Sequence, residues 1–189
     1  MTLVRFTDVA CWRGGRLLFE GVSFAIAPGE AWWVRGPNGA GKSSLLRVSA
    51  GLLSPAAGTV KVEAAALADE GMALDREQPL GAALAFWARL DGGSQRLGDA
   101  LTAFGLDHLA DVPVRMLSTG QARRARLARV VASGAPLWLL DEPANGLDAA
   151  SVDLLGEALA RHRARGGGVL AASHVPLPGG SWRTLELQP

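Results

Sequence analysis

Apolar and polar positions follow two different periods along this chain. Val22, Phe24 and Ile26 are separated by Ser23 and Ala25, the two-residue period of a strand with one buried face. Gly14-Gly15 and Pro28-Gly29 punctuate the same region as turns, so the first thirty residues are predicted to be β structure. Ala31–Arg35 is a short, mostly apolar run ending at Gly36 and reads as a buried strand. From 42 to 50 the period becomes helical, with Leu45, Leu46 and Val48 as the apolar face and Gly51 as the C-terminal cap. Pro55 and Gly58 break the chain, and Val60 and Val62 predict a further strand. Residues 72–131 are mainly helical in pattern, with helices expected at 82–90, 97–104 and 119–131. Pro136 separates the last of these from a second buried strand at 137–140. A helix follows over 149–165, with Ser151 near its start and glycines 166–168 ending it. Strands are expected at 169–172 and 182–187. Strands alternating with helices imply an α/β fold: a mostly parallel sheet covered on both faces, with a helical insertion in the middle.

Composition narrows the picture without changing it. The 189 residues suit one compact domain with room for two lobes, and 49% hydrophobic with 20% charged residues describes a globular chain. A formal net charge of +1 supplies no overall basic field, so no nucleic-acid partner is expected. Arginines cluster at 123, 124, 126 and 129, and again at 161, 163 and 165; solvated helix faces are the first reading and a phosphate-binding patch the second. The one cysteine, Cys11, cannot form an internal disulfide, and Arg5 and Asp8 interrupt any signal-like start. The apolar stretch 82–88 falls far short of the roughly 18–20 residues that span a bilayer. A cytoplasmic protein is expected, and any transport role calls for another polypeptide.

Chemistry enters at Gly36-Pro37-Asn38-Gly39-Ala40-Gly41-Lys42-Ser43, followed by Ser44. The segment matches the phosphate-loop pattern between an expected strand and an expected helix. Several backbone N–H groups must turn toward one polyphosphate, and glycines permit both the dihedrals and the close approach. The helix starting near Lys42 adds its positive N-terminal end. Lys42 can bridge the β- and γ-phosphates of ATP, and the Ser43 hydroxyl can join an Mg²⁺ shell. Weighted by this chain's own residue frequencies, an accidental match has a chance of roughly 0.3%, so nucleotide binding is the reading. Only two lysines, Lys42 and Lys61, occur among 19 basic residues, and one stands where a compact ammonium is wanted.

The apolar strand Leu137-Trp138-Leu139-Leu140 ends in Asp141 and Glu142. Ligands of parallel α/β sheets bind beyond the carboxyl ends of strands, which brings both acids to the nucleotide edge. Asp141 can hold Mg²⁺, usually through water, and Glu142 can orient or deprotonate an attacking water.

Beyond these two motifs the chain resembles the ABC ATPase family, whose further motifs appear in order and cover essentially the whole sequence. Leu117-Ser118-Thr119-Gly120-Gln121 resembles the signature motif, with threonine in place of the first glycine, and lies about 20 residues before Asp141. Asn145-Gly146-Leu147-Asp148 resembles the D-loop, and Ser173-His174 the switch-histidine loop. The resemblance implies a phosphate-loop NTPase of the ABC type: a mostly parallel sheet, an N-terminal antiparallel β region and a helical lobe. The expected division is a nucleotide-binding core of 1–71 and 132–189 and a lobe of 72–131. It further implies a head-to-tail homodimer in which each ATP lies between one phosphate loop and the partner's Ser118, Thr119, Gly120 and Gln121. His174 would contact the γ-phosphate, and Asp148 would link the two sites.

Two departures from the family stand out. Arg13, with Trp12 beside it, occupies the register where the family stacks adenine on an aromatic ring. The glutamine that ends the strand before the helical lobe is replaced by either Gln78, which comes late, or Glu70.

Softer segments resemble the branch of the family serving the haem exporter of cytochrome c maturation. They are Cys11-Trp12-Arg13-Gly14-Gly15-Arg16, Ala85-Phe86-Trp87-Ala88, the arginine-rich helix, Pro136-Leu137-Trp138 and Ser173-His174-Val175-Pro176-Leu177. That branch implies integral membrane partners of the CcmB and CcmC type at the cytoplasmic face of the bacterial inner membrane. Phe86 and Trp87 read as core or as partner contacts, and His108 and His162 as surface histidines. An ABC ATPase serving another exported substrate is the alternative. A non-transport ABC protein is a more distant one, because the phosphate loop and the signature are too close for a coiled-coil insertion.

Overall fold

The computed structural model describes residues 2–69, 71 and 74–188. Strands β1 (Val4–Arg13) and β2 (Arg16–Ile26) form an antiparallel hairpin. Its two-residue turn, Gly14-Gly15, has both φ angles positive at 59° and 76°, the conformation that matches the twist of the flanking strands. Strand β4 (Ala57–Val62) pairs with the other side of β1, giving a three-stranded sheet in the order β2-β1-β4.

The second sheet is parallel throughout. Strands β3 (Ala31–Arg35), β5 (Ala65–Ala68), β6 (Leu137–Asp141), β7 (Gly168–Ala172) and β8 (Arg183–Glu186) lie in the order β5-β6-β7-β3-β8. Helix α1 (Lys42–Ser49) follows β3, and α5 (Ala149–Ala164) lies between β6 and β7. Helices α2 (Leu80–Leu90), α3 (Leu97–Ala103) and α4 (Thr119–Ser133) fill the stretch between β5 and β6. The continuous apolar runs of β6 and β7 follow from burial on both faces. Trp138, Leu140, Val169 and Ala171 join the core under the helices of the insertion and α5. Leu137, Leu139, Leu170 and Ala172 join a second core with α1 and the antiparallel sheet.

The expected fold class is the one observed, with local corrections. Strand β5 has no sequence signal, because Ala65-Ala66-Leu67-Ala68 carries no β-branched residue; its pairing with β6, Ala65 against Leu137 onward, makes it a strand. The N-cap of α5 is Asp148, whose Oδ1 accepts from the Ser151 N–H at 2.8 Å, while Ser151 itself is buried in the first turn.

The arginines of α4 are not a solvated face. Arg124 donates to Phe104 O at 2.8 Å, Arg126 to Asp69 O at 2.7 Å and Arg129 to Leu67 O at 3.2 Å. Arg129 also lies over the Trp87 ring, 4.6 Å from its centroid. They act as bolts because loop and strand-end carbonyls need donors that the sheet ladder does not supply. Arg163 does the same for Gly29 and Gly179, whereas Arg161 and Arg165 are exposed as expected.

His108 is at the surface, but His162 is not: its ring stacks on Trp138 with centroids 3.8 Å apart, because α5 lays it across the start of β7. Phe86 is exposed rather than core, while Trp87 is half-buried beneath Arg129. Among the described residues no helix is long and apolar enough to cross a bilayer.

Candidate nucleotide site

The carboxyl ends of β3, β6 and β7 open on one cleft of about 930 Å³. Strand β3 runs into the loop 36–41, which turns directly into α1. A side chain at Gly36 would place its Cβ 2.5 Å from Leu187 O. Gly41 has φ 97° and would press a Cβ to 2.9 Å from the Phe19 ring. Glycine is therefore required at both places by space as well as by dihedral. Lys42, only 8% exposed, donates from Nζ to Gly36 O at 2.9 Å and to Pro37 O at 3.1 Å, which holds its ammonium inside the loop.

Asp141 ends β6 and Glu142 follows it at φ 47°, a conformation that costs a non-glycine residue roughly 1–2 kcal/mol. The Glu142 N–H donates to Ala172 O at 2.9 Å, fixing that turn to the end of β7. Its carboxylate accepts from the His174 N–H at 3.3 Å and lies 3.5 Å from His174 Nε2. The His174 loop is itself held: Trp33 Nε1 donates to Ser173 O at 2.8 Å, and the buried Ser173 hydroxyl donates to Val175 O at 2.9 Å. A half-exposed imidazole beside a carboxylate on a pinned turn can position a proton or a water.

Ten expected residues line this cleft together: Arg13, Asn38, Gly39, Gly41, Lys42, Ser43, Ser44, Asp141, Glu142 and His174. Gly36, Pro37 and Ala40 shape the loop from behind. Trp12 does not line the cleft and is 57% exposed elsewhere.

The signature residues also stand apart from it. Ser118 and Gln121 form a reciprocal cap at the start of α4: the Gln121 N–H donates to Ser118 Oγ at 3.2 Å and the Ser118 N–H to Gln121 Oε1 at 2.8 Å. Thr119 borders a separate, smaller groove with Asp141, Glu142 and Asn145. Gly120 has open space where a Cβ would sit. The Asp148 carboxyl is held below the usual carboxylate range by hydrogen bonds from Ser151, matching its capping position. Gln78 is exposed and away from the cleft, and Glu70 lies outside the described residues.

Arg16 and Arg47 line the cleft without having been singled out from sequence. Arg47 is 3.6 Å from Asp69, and Arg16 donates to Gly39 O at 3.1 Å. Arg16 carried a readable signal: a two-residue Gly-Gly hairpin sets it directly across from Arg13.

A parallel sheet with a phosphate loop at the end of β3 and paired acids at the end of β6 defines a phosphate-loop NTPase, and the family model described as ABC transporter, which matches residues 19–145, makes it the ATP-binding kind found in ABC transporters. Relatives narrow this further. The cytochrome c biogenesis ATP-binding export protein CcmA of Sphingopyxis alaskensis is 59% identical over 93% of this chain and 91% of its own length. The CcmA proteins of Novosphingobium aromaticivorans and Zymomonas mobilis are 55% and 54% identical, each over 96% of this chain and over 94% and 82% of their own lengths. The chain belongs to the CcmA family of cytochrome c biogenesis ATP-binding export proteins. Its fold recurs in solved structures. An ATP-binding subunit of an ABC transporter has a TM-score of 0.83 at 24% identity, over 92% of this chain and 80% of that one. A dimeric ATP-binding cassette bound to ADP and Pi has a TM-score of 0.81 at 20% identity, over 91% and 88%.

Proposed function

We propose that this chain hydrolyses ATP to power the haem exporter of cytochrome c maturation, working as a head-to-tail homodimer beneath integral membrane subunits of the CcmB and CcmC type. Its place would be the cytoplasmic face of the bacterial inner membrane. The observation that carries the reading is the placement of Glu142 and His174, touching each other at one end of the cleft that also holds Lys42.

In this reading the loop amides and Lys42 grip the β- and γ-phosphates, and Glu142 orients or deprotonates the attacking water. His174, held to Glu142 through both its backbone and its ring, positions that water against the γ-phosphate. Ser43 and Asp141 would hold Mg²⁺, and their chemistry suits it. They are hard oxygen donors in one cleft, and among the described residues no cluster of three acidic, histidine or cysteine side chains competes as an all-protein metal site. The ion, when bound, neutralises charge on the phosphate oxygens.

The signature residues complete the other subunit's site. Ser118 and Gly120 stand at the start of a long helix, do not line their own cleft and leave room around Gly120, which favours contact with a partner's γ-phosphate. Asp148 would link the two sites. Residues 1–71 and 132–189 would act as the nucleotide-binding core and 72–131 as the lobe carrying the signature. ATP then joins the subunits and hydrolysis releases them.

Glu142→Gln tests this directly. Mg-ATP binding should persist, turnover should drop about 10²–10⁴-fold, and an ATP-bound dimer should accumulate on size exclusion. Unchanged turnover removes Glu142 from the base role, and a trapped nucleotide on a monomer sinks the shared site. Purifying the complex with its membrane subunits and identifying the bound cargo tests the haem assignment.

A further inference from the structure

A second cavity, of about 450 Å³, lies where β6 and β7 begin and shares no lining residue with the nucleotide cleft. Its size falls within the range of about 300–1,000 Å³ typical of small-molecule pockets. Ala103, Val131, Pro136, Trp138 and Ala158 give it an apolar lining. Arg96, Arg161 and Arg165 also line it, against Asp99 as the one acidic group among the described lining residues. Burial first, and the Arg96 charge after it, holds the His162 pKa low, so the ring stacked on Trp138 is neutral near pH 7.

Fold stability accounts for two of these arginines. Arg161 and Arg165 close α5, where a cation favours the negative end of the helix. Arg96 has no such reason. It is the N-cap of α3, the end at which a cation is unfavourable. Its side chain lies over Gly134, where an added Cβ would collide with Nη1, and this places it on the same cavity as the other two. Among the described residues neither Arg96 nor Arg165 forms an ion pair with a carboxylate, and Arg161 has only Glu157 at 3.9 Å on the surface. Three like charges from two separate segments thus line one apolar cavity without matching acids.

We propose that this cavity binds a small organic anion, its carboxylate held by Arg96, Arg161 and Arg165 and its apolar body lodged against Val131, Pro136 and Trp138. The proposal is independent of the nucleotide reading, because the two cavities have no residue in common. A guanidinium fork matches a carboxylate with two parallel hydrogen bonds, and the charge makes those bonds strong. The apolar lining rewards a hydrocarbon body in the same molecule by removing its surface from water. A bound anion would also hold the start of α3 to the end of α5, since each supplies part of the charge.

The experiment titrates the full chain, saturated with Mg-ADP, with 2-naphthoate, its neutral amide 2-naphthamide, and acetate, and follows the heat of binding. Naphthoate should bind with a Kd of about 1 mM or tighter, and the amide and acetate each at least about tenfold more weakly. Arg96→Gln and Arg165→Gln should each weaken naphthoate by about tenfold, the worth of a charged hydrogen bond. Both arginines are exposed, so the variants should keep the wild-type melting temperature. Lys61→Gln removes an equal charge from the antiparallel sheet and should leave naphthoate affinity unchanged. Absence of naphthoate binding up to about 5 mM overturns the proposal. So does equal affinity for the amide, which would make the cavity merely apolar, or for acetate, which would make it merely cationic. Unchanged affinity in both arginine variants, or an equal loss in Lys61→Gln, places the anion elsewhere. Binding seen only without Mg-ADP assigns it to the nucleotide cleft.

Discussion

His174 and His162 stand at opposite edges of the same parallel sheet, each next to an end of β7. His174 follows the carboxyl end, has a side chain 52% exposed, and faces Glu142 across 3.5 Å. His162 precedes the amino end, stacks on Trp138 and reaches Gly168 O at 3.2 Å through Nε2. Burial holds its pKa down to about 4, aided by the nearby Arg96 charge and opposed by bonds to the Gly168 and Pro136 backbone. One edge exposes charged side chains and pinned turns to the larger cleft, and the other borders a smaller pocket of about 450 Å³ lined by the stacked Trp138 and His162. Residue type therefore carries little functional information here, and position along the strand carries most of it. Loops leaving the carboxyl ends of parallel strands hold groups that a ligand completes.

The sharpest way to break this contrast is to strike each edge and read both activity and stability. Lys42→Ala removes two hydrogen bonds to Gly36 O and Pro37 O and the charge of the loop. Mg-ATP affinity should fall about a hundredfold or more, the worth of two charge-assisted hydrogen bonds. The nucleotide-free melting temperature should move by only a few degrees. Unaltered affinity by calorimetry would deny Lys42 its phosphate.

At the other edge the expected effect is on stability and depends on pH. The His162 pKa is depressed in the fold, to about 4 from 6.5, so between those values the unfolded chain binds the proton and the native chain does not. Its contribution is fully present above pH 6.5 and drains away as pH falls toward 4, amounting to about 3 kcal/mol. His162→Phe keeps a stacking ring and cannot titrate. Urea unfolding from pH 7 to 4 should therefore be flatter in the variant, with ATP turnover at neutral pH within about twofold of wild type. Parallel stability curves for the two proteins would show that His162 is not buried neutral.

The smallest effect is expected at Arg129→Met, between the edges. Arg129 Nη1 is buried without a hydrogen-bond partner, and burial lowers the group's pKa against the opposing pull of Asp91 and Asp69. Replacing a costly buried cation with an apolar chain of similar length should change stability by no more than about 1 kcal/mol in either direction. A loss several times larger would mean that its bonds to Leu67 O and Trp87 outweigh desolvation.

The elements that fold where the sequence placed them share one property: their local demands are met within a few positions of the chain. The loop 36–43 needs its glycines for dihedrals and close approach, β6 must end where its acids begin, and Ser118 caps α4 through Gln121 three residues on. Such demands leave a local pattern, and the pattern was enough to place the glycine-rich turn, the acidic strand end and the helix beginning at Thr119 in order. What the chain alone left open was decided by partners far along it. Arg126 and Arg129 meet Asp69 and Leu67 some 60 residues away, at separations of 57 and 62. Alanines 65, 66 and 68 become a strand only against β6, and His162 is half-buried only because α5 lays it on Trp138. Alternation along β1 puts Trp12 and Arg13 on opposite faces, yet only the docking of the hairpin on the phosphate loop makes the arginine face the cleft. Periodicity records which residues share a face; which neighbour covers that face is settled by packing between segments, and single-chain patterns do not encode it.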